Sequence, residues 1–223
     1  MDWFPLWNSL RIAAISTVII FFAGIFAAYY IAKLPRLIKG VLDVVLTLPL
    51  VLPPTVLGSY LLVLLGRRGV FGAWLDDLGI ELVFTWQGAV IASMVVAFPL
   101  ILKSARAAFE GVDPHLERAA RTLGLGEVAV FFRVTLPLAT RGILAGALLA
   151  FARALGEFGA TLMIAGNLPG RTQTLSVAIY AAVQAGDDNT ANFLVLVTSI
   201  TCVLVLLATG WLVPSRARRS QLT

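Results

Sequence analysis

The chain has 223 residues, 59% hydrophobic and only 13% charged, with 17 Lys and Arg against 12 Asp and Glu for a formal net charge of +5. At a mean hydropathy of +0.92 a soluble fold of this size would lack the polar surface to cover itself, so the composition excludes a soluble globular domain and indicates an integral membrane protein. A single cysteine, Cys202, excludes an intrachain disulfide framework or a cysteine metal site, and basic residues scattered between apolar runs without stacking aromatics follow membrane topology rather than nucleic acid binding.

The first predicted span covers about 12–32, near the ~20 residues a crossing helix needs. Only Arg11 precedes it as a basic residue, which favours a retained helix over a signal peptide, with Trp3 and Trp7 at the headgroups. After Lys33, Arg36 and Lys39, a second span at roughly 41–65 carries Pro49, Pro53 and Pro54. Each proline removes a backbone donor, which at membrane depth is tolerated only under cover of protein or beside a water-filled cavity. The expectation is a broken helix facing a pathway, or else a proline kink packed on its neighbours. A loop with Arg67, Arg68, Asp76, Asp77 and Glu81 leads to a third span, about 86–102, containing Pro99.

A polar island at 113–137 interrupts the apolar pattern. The fourth span starts near Gly142 and continues past Arg153 and Glu157 toward Gly166. Gly142, Gly146, Ala150 and Ala154 recur every four residues, a small-residue face suited to close helix packing. Following a loop with Asn167, Pro169, Gly170 and Arg171, the segment 175–186 is too short to cross and reads as re-entrant or interfacial. A fifth span, about 193–213, ends before Arg216, Arg218 and Arg219.

Basic residues set the expected orientation. Lys33, Arg36 and Lys39, the stretch from Lys103 to Arg141, and the C-terminal arginines are assigned to the cytoplasm; Arg67, Arg68 and Arg171, mixed with Asp76, Asp77, Glu81, Asp187 and Asp188, face outward. Five crossings put the N-terminus outside and the C-terminus inside, against which Arg11 weighs slightly. A sixth crossing arises only if 175–185 crosses or the broken second helix counts twice.

The island's local chemistry is legible. Asp113 is an N-cap, Pro114 suits the first helical position, and Gly124 ends the helix near Leu123. Leu116, Ala119, Ala120 and Leu123 fall on one face, where small alanines permit docking into a groove. A second helix starts near Glu127 and is expected to stop at Pro137. This is either a mechanical coupling element or a solvated loop helix.

The run Ala119, Ala120, three residues, Gly124, nine residues, Val134, Thr135, Leu136, Pro137 resembles the EAA loop of permease subunits of binding-protein-dependent ABC importers, whose pattern is Glu-Ala-Ala, three residues, Gly, nine residues, Ile-x-Leu-Pro. Arg118 stands at the glutamate position with Glu117 before it. Over nearly the whole chain, the stretches LPLVLPPTVLG, LLGRRG, ERAARTLG and FARALGEFGATLMIAGNLPGRTQTL are similar to molybdate permeases within the molybdate, tungstate and sulfate group; Glu157, Phe158, Gly159 and Ala160 follow the molybdate form. The resemblance implies an all-α, type I ABC importer permease fold in a single transmembrane domain over 1–223, with a cytoplasmic coupling-helix loop at 113–137. It implies a homodimer in the cytoplasmic (inner) membrane, two cytoplasmic ATPase subunits that bind ATP and Mg, and an external oxyanion-binding protein. Contact with the ATPase would fall to Glu117, Arg118, Ala119, Ala120, Leu123, Gly124, Leu136 and Pro137. The chain itself has no Gly-x-x-x-x-Gly-Lys-Ser/Thr loop and is expected to be a transport subunit rather than an enzyme, without a cofactor or metal of its own.

Arg153 and Glu157, four apart, can pair and so lower the cost of placing each in a low-dielectric region. The pair is either an oxyanion contact with its resting partner or a structural bridge. Thr55, Ser59 and Thr161 are candidate pathway hydroxyls, since hydroxyls replace water around an oxyanion, or they bond back to their own helices. His115 lacks companions for a metal site. A passive channel would share the broken helices without needing the island, and an intramembrane enzyme would need catalytic groups that are missing; sulfate or tungstate import is the nearer alternative.

Overall fold

The computed structural model describes residues 2–212, with only the backbone for 208–212. Val213 and the basic tail Arg216, Arg218 and Arg219 lie outside the described residues. The described elements are all helical: α1 Phe4–Ala32, α2 Arg36–Val51, α3 Pro54–Leu65, α4 Val70–Asp77, α5 Trp86–Glu110, α6 Pro114–Thr122, α7 Glu127–Val130, a π-helical turn Phe131–Thr135, α8 Leu136–Leu155, α9 Gly159–Ala165, α10 Leu175–Gln184 and α11 Asp188–Leu212. Four stretches are long and apolar enough to cross a membrane: α1, α5, Glu127–Leu155 and α11; α2 with α3 makes a fifth if that bent pair is one span. The chain is thus a multi-pass helical membrane protein.

Helix α5 is the centre, with α1 and α8 packed along it. Half of its buried positions are small, Gly88, Ala89, Ala92, Ser93, Ala97 and Ala105, so both neighbours approach closely. The small-residue face of α8 meets α5 as the spacing suggests: a Cβ on Gly146 would lie 2.4 Å from the Ser104 Cβ, and one on Gly142 2.6 Å from the Ala108 Cβ. Ala150 and Ala154 are buried in the same seam. In lipid, where apolar surface gains little from burial between helices, such backbone proximity supplies the packing energy. One polar bond crosses the seam between α1 and α5, from Ser16 Oγ to the Val90 carbonyl at 3.1 Å.

Several predicted boundaries shift. Helix α1 starts eight residues earlier than expected, at Phe4, because Asp2 accepts the Phe4 N–H at 2.9 Å and Pro5 occupies the first turn. The second span is broken as expected, by 108°, but at one proline only. Pro49 sits inside α2; the break falls at Leu52, whose ψ of 141° is the extended conformation imposed by the following Pro53, and Pro54 opens α3. Helix α5 runs through Pro99 to Glu110, beyond the expected end. The loop after α3 contains the unexpected α4. Helix α10, at 10 residues, ends two residues before the predicted 175–186 segment and is short as expected, and α11 begins at Asp188, ahead of the predicted Phe193.

The largest correction concerns Pro137, which does not stop the island's second helix. Helix runs from Glu127 to Leu155 without interruption, because the π turn before it carries the strain. Leu136 N–H reaches back to the Phe131 carbonyl, five residues away, and the widened turn relieves the clash a proline ring makes with the carbonyl four residues earlier. Conversely, the predicted fourth span is not one helix. It ends at Leu155, and Glu157 sits in the interruption before α9.

Candidate functional site

Two constellations stand out. The first is the hairpin formed by α6, α7 and the start of α8. Asp113 Oδ1 accepts the His115 N–H at 2.8 Å, which caps α6. At the other end Leu125 N–H bonds to the Ala120 carbonyl (3.2 Å) and Gly124 N–H to the Arg121 carbonyl (3.0 Å). This pair of bonds is a Schellman motif, and it requires a left-handed residue, supplied by Gly124 at φ +86°. Glycine is therefore demanded here by backbone geometry.

Side chains then fasten α6 to the membrane helix. Glu117 Oε1 accepts the Thr135 hydroxyl at 2.6 Å, with Thr135 buried inside the π turn. Glu117 Oε2 lies 3.5 Å from Arg121, and Arg121 grips Glu127 with two bonds of 2.5 and 3.2 Å. The hydrogen bond to Glu127 leads the causes that hold the Arg121 guanidinium above its ordinary pKa. The relay Thr135–Glu117–Arg121–Glu127 thus connects α6 to both ends of α7 and its π turn. Arg118, at the motif's glutamate position, is exposed and turns back to the Pro114 carbonyl (3.3 Å) and the His115 ring (3.4 Å).

The expected docking face divides. Ala120 is buried against the chain, whereas Leu116, Ala119 and Leu123 are exposed, Leu123 at 82%. Leu136 and Pro137 lie past the π turn at the base of α8, where Pro137 lines a cleft together with Leu116 of α6.

The second constellation lies where the two interrupted spans meet. A Cβ on Gly159 would lie 2.6 Å from the Pro54 Cβ, so the break between α2 and α3 abuts the break between α8 and α9. Irregular backbone at such a depth is characteristic of a lined cavity or a protein-covered seam. Arg153 Nη1 is 2.7 Å from Glu157 Oε2 in an ion contact rather than an aligned hydrogen bond, and Glu157 Oε1 accepts the Ala160 N–H at 2.9 Å, capping α9. Glu157 is 2% exposed and the Arg153 side chain 31%. The three candidate hydroxyls are not gathered together. Thr55 and Ser59 share the exposed face of α3, while Thr161 is 1% exposed and its hydroxyl has no hydrogen-bond partner.

Sequence reasoning missed other polar ties. Asp43 in α2 pairs with Arg106 in α5 at 2.8 Å; Arg106 is 3.6 Å from Glu110, which also pairs with Lys39. A lone carboxylate within an apolar run was the available signal. At the opposite end of α1, Asn8 Nδ2 donates to the Gln173 carbonyl (3.1 Å) and Ser9 Oγ accepts the Leu175 N–H (2.8 Å). Arg11, which weighed against the expected orientation, stacks 3.8 Å from the centroid of the Trp86 ring. Among the described residues no three His, Cys, Asp or Glu side chains cluster as metal ligands.

The family described as "Binding-protein-dependent transport system inner membrane component" matches residues 20–219. The chain is 45% identical to the Molybdenum transport system permease protein ModB of Escherichia coli (strain K12) over 213 residues, 95% of this chain and 93% of that one. It is 42% identical to the Putative molybdenum transport system permease protein YvgM of Bacillus subtilis (strain 168) over 188 residues, 84% and 83% of the two chains. Among solved structures, it superposes on the inward-facing MetNI methionine ABC transporter with a TM-score of 0.74 at 17% identity, covering 96% of each chain. A bacterial alginate ABC transporter, in complex with alginate pentasaccharide-bound periplasmic protein, gives 0.72 at 18%, covering 97% of this chain and 78% of that one. At these identities the structural likeness shows the fold, that of a type I ABC importer permease.

Proposed function

The chain belongs to the family of binding-protein-dependent transport system inner membrane components, and we propose that within it the chain is the permease subunit of an ATP-driven importer whose cargo is molybdate. The observation that carries this reading is the end-to-end similarity to relatives named as molybdenum transport permeases.

In this reading two copies enclose the pathway, with the N-terminus outside and the C-terminus inside the cytoplasmic membrane. An external oxyanion-binding protein delivers the anion. Two cytoplasmic ATPase subunits bind ATP and Mg, and each receives an α6 through Leu116, Ala119 and Leu123, with Glu117, Arg118, Ala120 and Gly124 setting the shape and orientation of that helix. Leu136 and Pro137 act at the hinge, where α6 meets the spanning helix. The relay from Thr135 to Glu127 supports rigid transmission: a displacement of α6 reaches α8 through two short charge-assisted bonds instead of a flexible loop.

At the crossing of the two breaks, Thr55 and Ser59 offer exposed hydroxyls to replace water around an oxyanion, and Thr161 holds a spare hydroxyl buried in α9. Arg153 neutralises buried Glu157, which holds α9 by its first turn; the pair keeps the interrupted helix in register. Uptake of molybdate into proteoliposomes containing this chain, the ATPase and the external binding protein tests the proposal. Uptake that requires ATP and resists excess sulfate is expected. ATP-independent flux would identify a channel, and displacement by sulfate at equal concentration a sulfate importer; either result overturns the proposal.

A further inference from the structure

On the outer side of the bundle, α1 and the α7–α8 helix enclose a groove of about 800 Å³ that no element among the described residues covers. Its α1 wall carries Phe22, Phe26 and Tyr30, each more than half exposed, and its α8 wall Phe132, exposed, and Leu144. From Phe22 to Lys33 this wall is about 16 Å long at ~1.5 Å per residue. That length matches one leaflet of a ~30 Å hydrocarbon core.

Polarity is confined to one end. Lys33, just past the end of α1, lies 3.9 Å above the Tyr29 ring and donates to the Tyr29 hydroxyl at 2.5 Å. It makes no salt bridge among the described residues: the carboxylate that shares the groove mouth, Glu127, feels the Lys33 charge but has both oxygens bonded to Arg121. An ammonium fixed by an aromatic ring, whose neighbouring carboxylate is already hydrogen-bonded to an arginine, and which is placed where a spanning helix leaves the hydrocarbon, is complementary to a lipid phosphate.

We infer that the groove between α1 and the α7–α8 helix is a binding site for one glycerophospholipid, with an acyl chain against Phe22, Phe26 and Leu144 and its phosphate on Lys33. The site lies against the helix that leads directly from α6, so its occupant packs on the π turn as well. A merely annular lipid would have no fixed headgroup contact and no preference for this face over the equally apolar surface of α11.

The test uses the full chain in nanodiscs containing phosphatidylglycerol with a diazirine on one acyl chain, with peptide mapping after photolysis. Label concentrated on peptides covering 21–33 and 127–144 is expected. Lys33→Gln should lower that label about fivefold, the worth of one lysine near an anionic lipid surface, and Lys33→Arg should retain it. Thr140→Trp, which fills the groove from its exposed α8 wall, should lower the label without touching the headgroup contact; gel filtration checks that each variant remains folded. Label spread over α11 as densely as over the groove, or unchanged by both Lys33→Gln and Thr140→Trp, would overturn the site. Crosslinks joining the groove of one copy to a second copy would overturn it too, by naming a protein occupant.

Discussion

Replacing Thr135 by Val removes one hydroxyl and almost no volume, yet it cuts the bond that ties α6 to the spanning helix. Thr135 Oγ1 donates to Glu117 Oε1 at 2.6 Å, and hydrogen bonds to charged groups contribute about 1.5–3 kcal/mol. The Glu117 side chain is 26% exposed, so water recovers part of that when the partner is lost; about 1–2 kcal/mol of local stability should disappear. Thr135→Val should therefore raise the opening equilibrium of the α6 C-terminal turn roughly 5- to 30-fold. Hydrogen exchange at the Leu125 and Gly124 amides, whose Schellman bonds close that turn, reads this directly in the purified chain. Thr135→Ser, which keeps the donor, should stay near wild type. Unchanged exchange at both amides in Thr135→Val would refute the relay as a mechanical tie.

Other perturbations separate the remaining claims. Gly146→Leu places a side chain where even a Cβ comes within 2.4 Å of Ser104; overpacking of about 1–3 kcal/mol should lower the thermal midpoint in detergent, whereas Gly126→Ala, with open space around it, should not. Arg153→Gln leaves the buried Glu157 carboxylate uncompensated. Breaking such a pair costs up to about 3–5 kcal/mol, reduced here because Arg153 is 31% exposed, and the double variant Arg153→Gln/Glu157→Gln should recover much of the loss in a melting experiment. An oxyanion contact predicts instead that stability survives Arg153→Gln while uptake does not. Asp43→Asn should lower stability by about 1–2 kcal/mol, with reduced protection of the α2 amides near Lys39 and Asp43, since Arg106 then has only Glu110. Gly124→Ala forces a Cβ residue into φ +86° and should cost about 1 kcal/mol or more, read at the same amides as Thr135→Val.

Much of this fold was legible because membranes simplify the problem. Long apolar runs had to be helices, and Gly142, Gly146, Ala150 and Ala154 identified the packed face before any contact was known. Capping chemistry placed α6 to within a residue, since Asp113, Pro114 and Gly124 act locally. What escaped was whatever depends on a distant partner. Pro137 looked like a terminator because local rules assign it an α-helical clash; the π turn that removes the clash is stabilised by packing and by Thr135 reaching Glu117, eighteen residues away. Glu157 looked helical by continuity with Arg153, yet its carboxylate caps a new helix, and the contact of Gly159 with Pro54 joins segments more than a hundred residues apart. The pairing of Arg106 with Asp43 was hidden for the same reason.

The central claim is that α6 is the chain's docking element for a cytoplasmic ATPase, and its most exposed apolar side chain, Leu123, is the place to ask. A photoreactive phenylalanine derivative at Leu123, in the complex assembled with its ATPase in nanodiscs, should crosslink to the ATPase, with a yield that changes when ATP and Mg are added. The same probe at Val203, an exposed α11 position, should give lipid adducts only. Equal ATPase crosslinking from both positions, or none from Leu123 in a complex that still co-purifies, would contradict the claim.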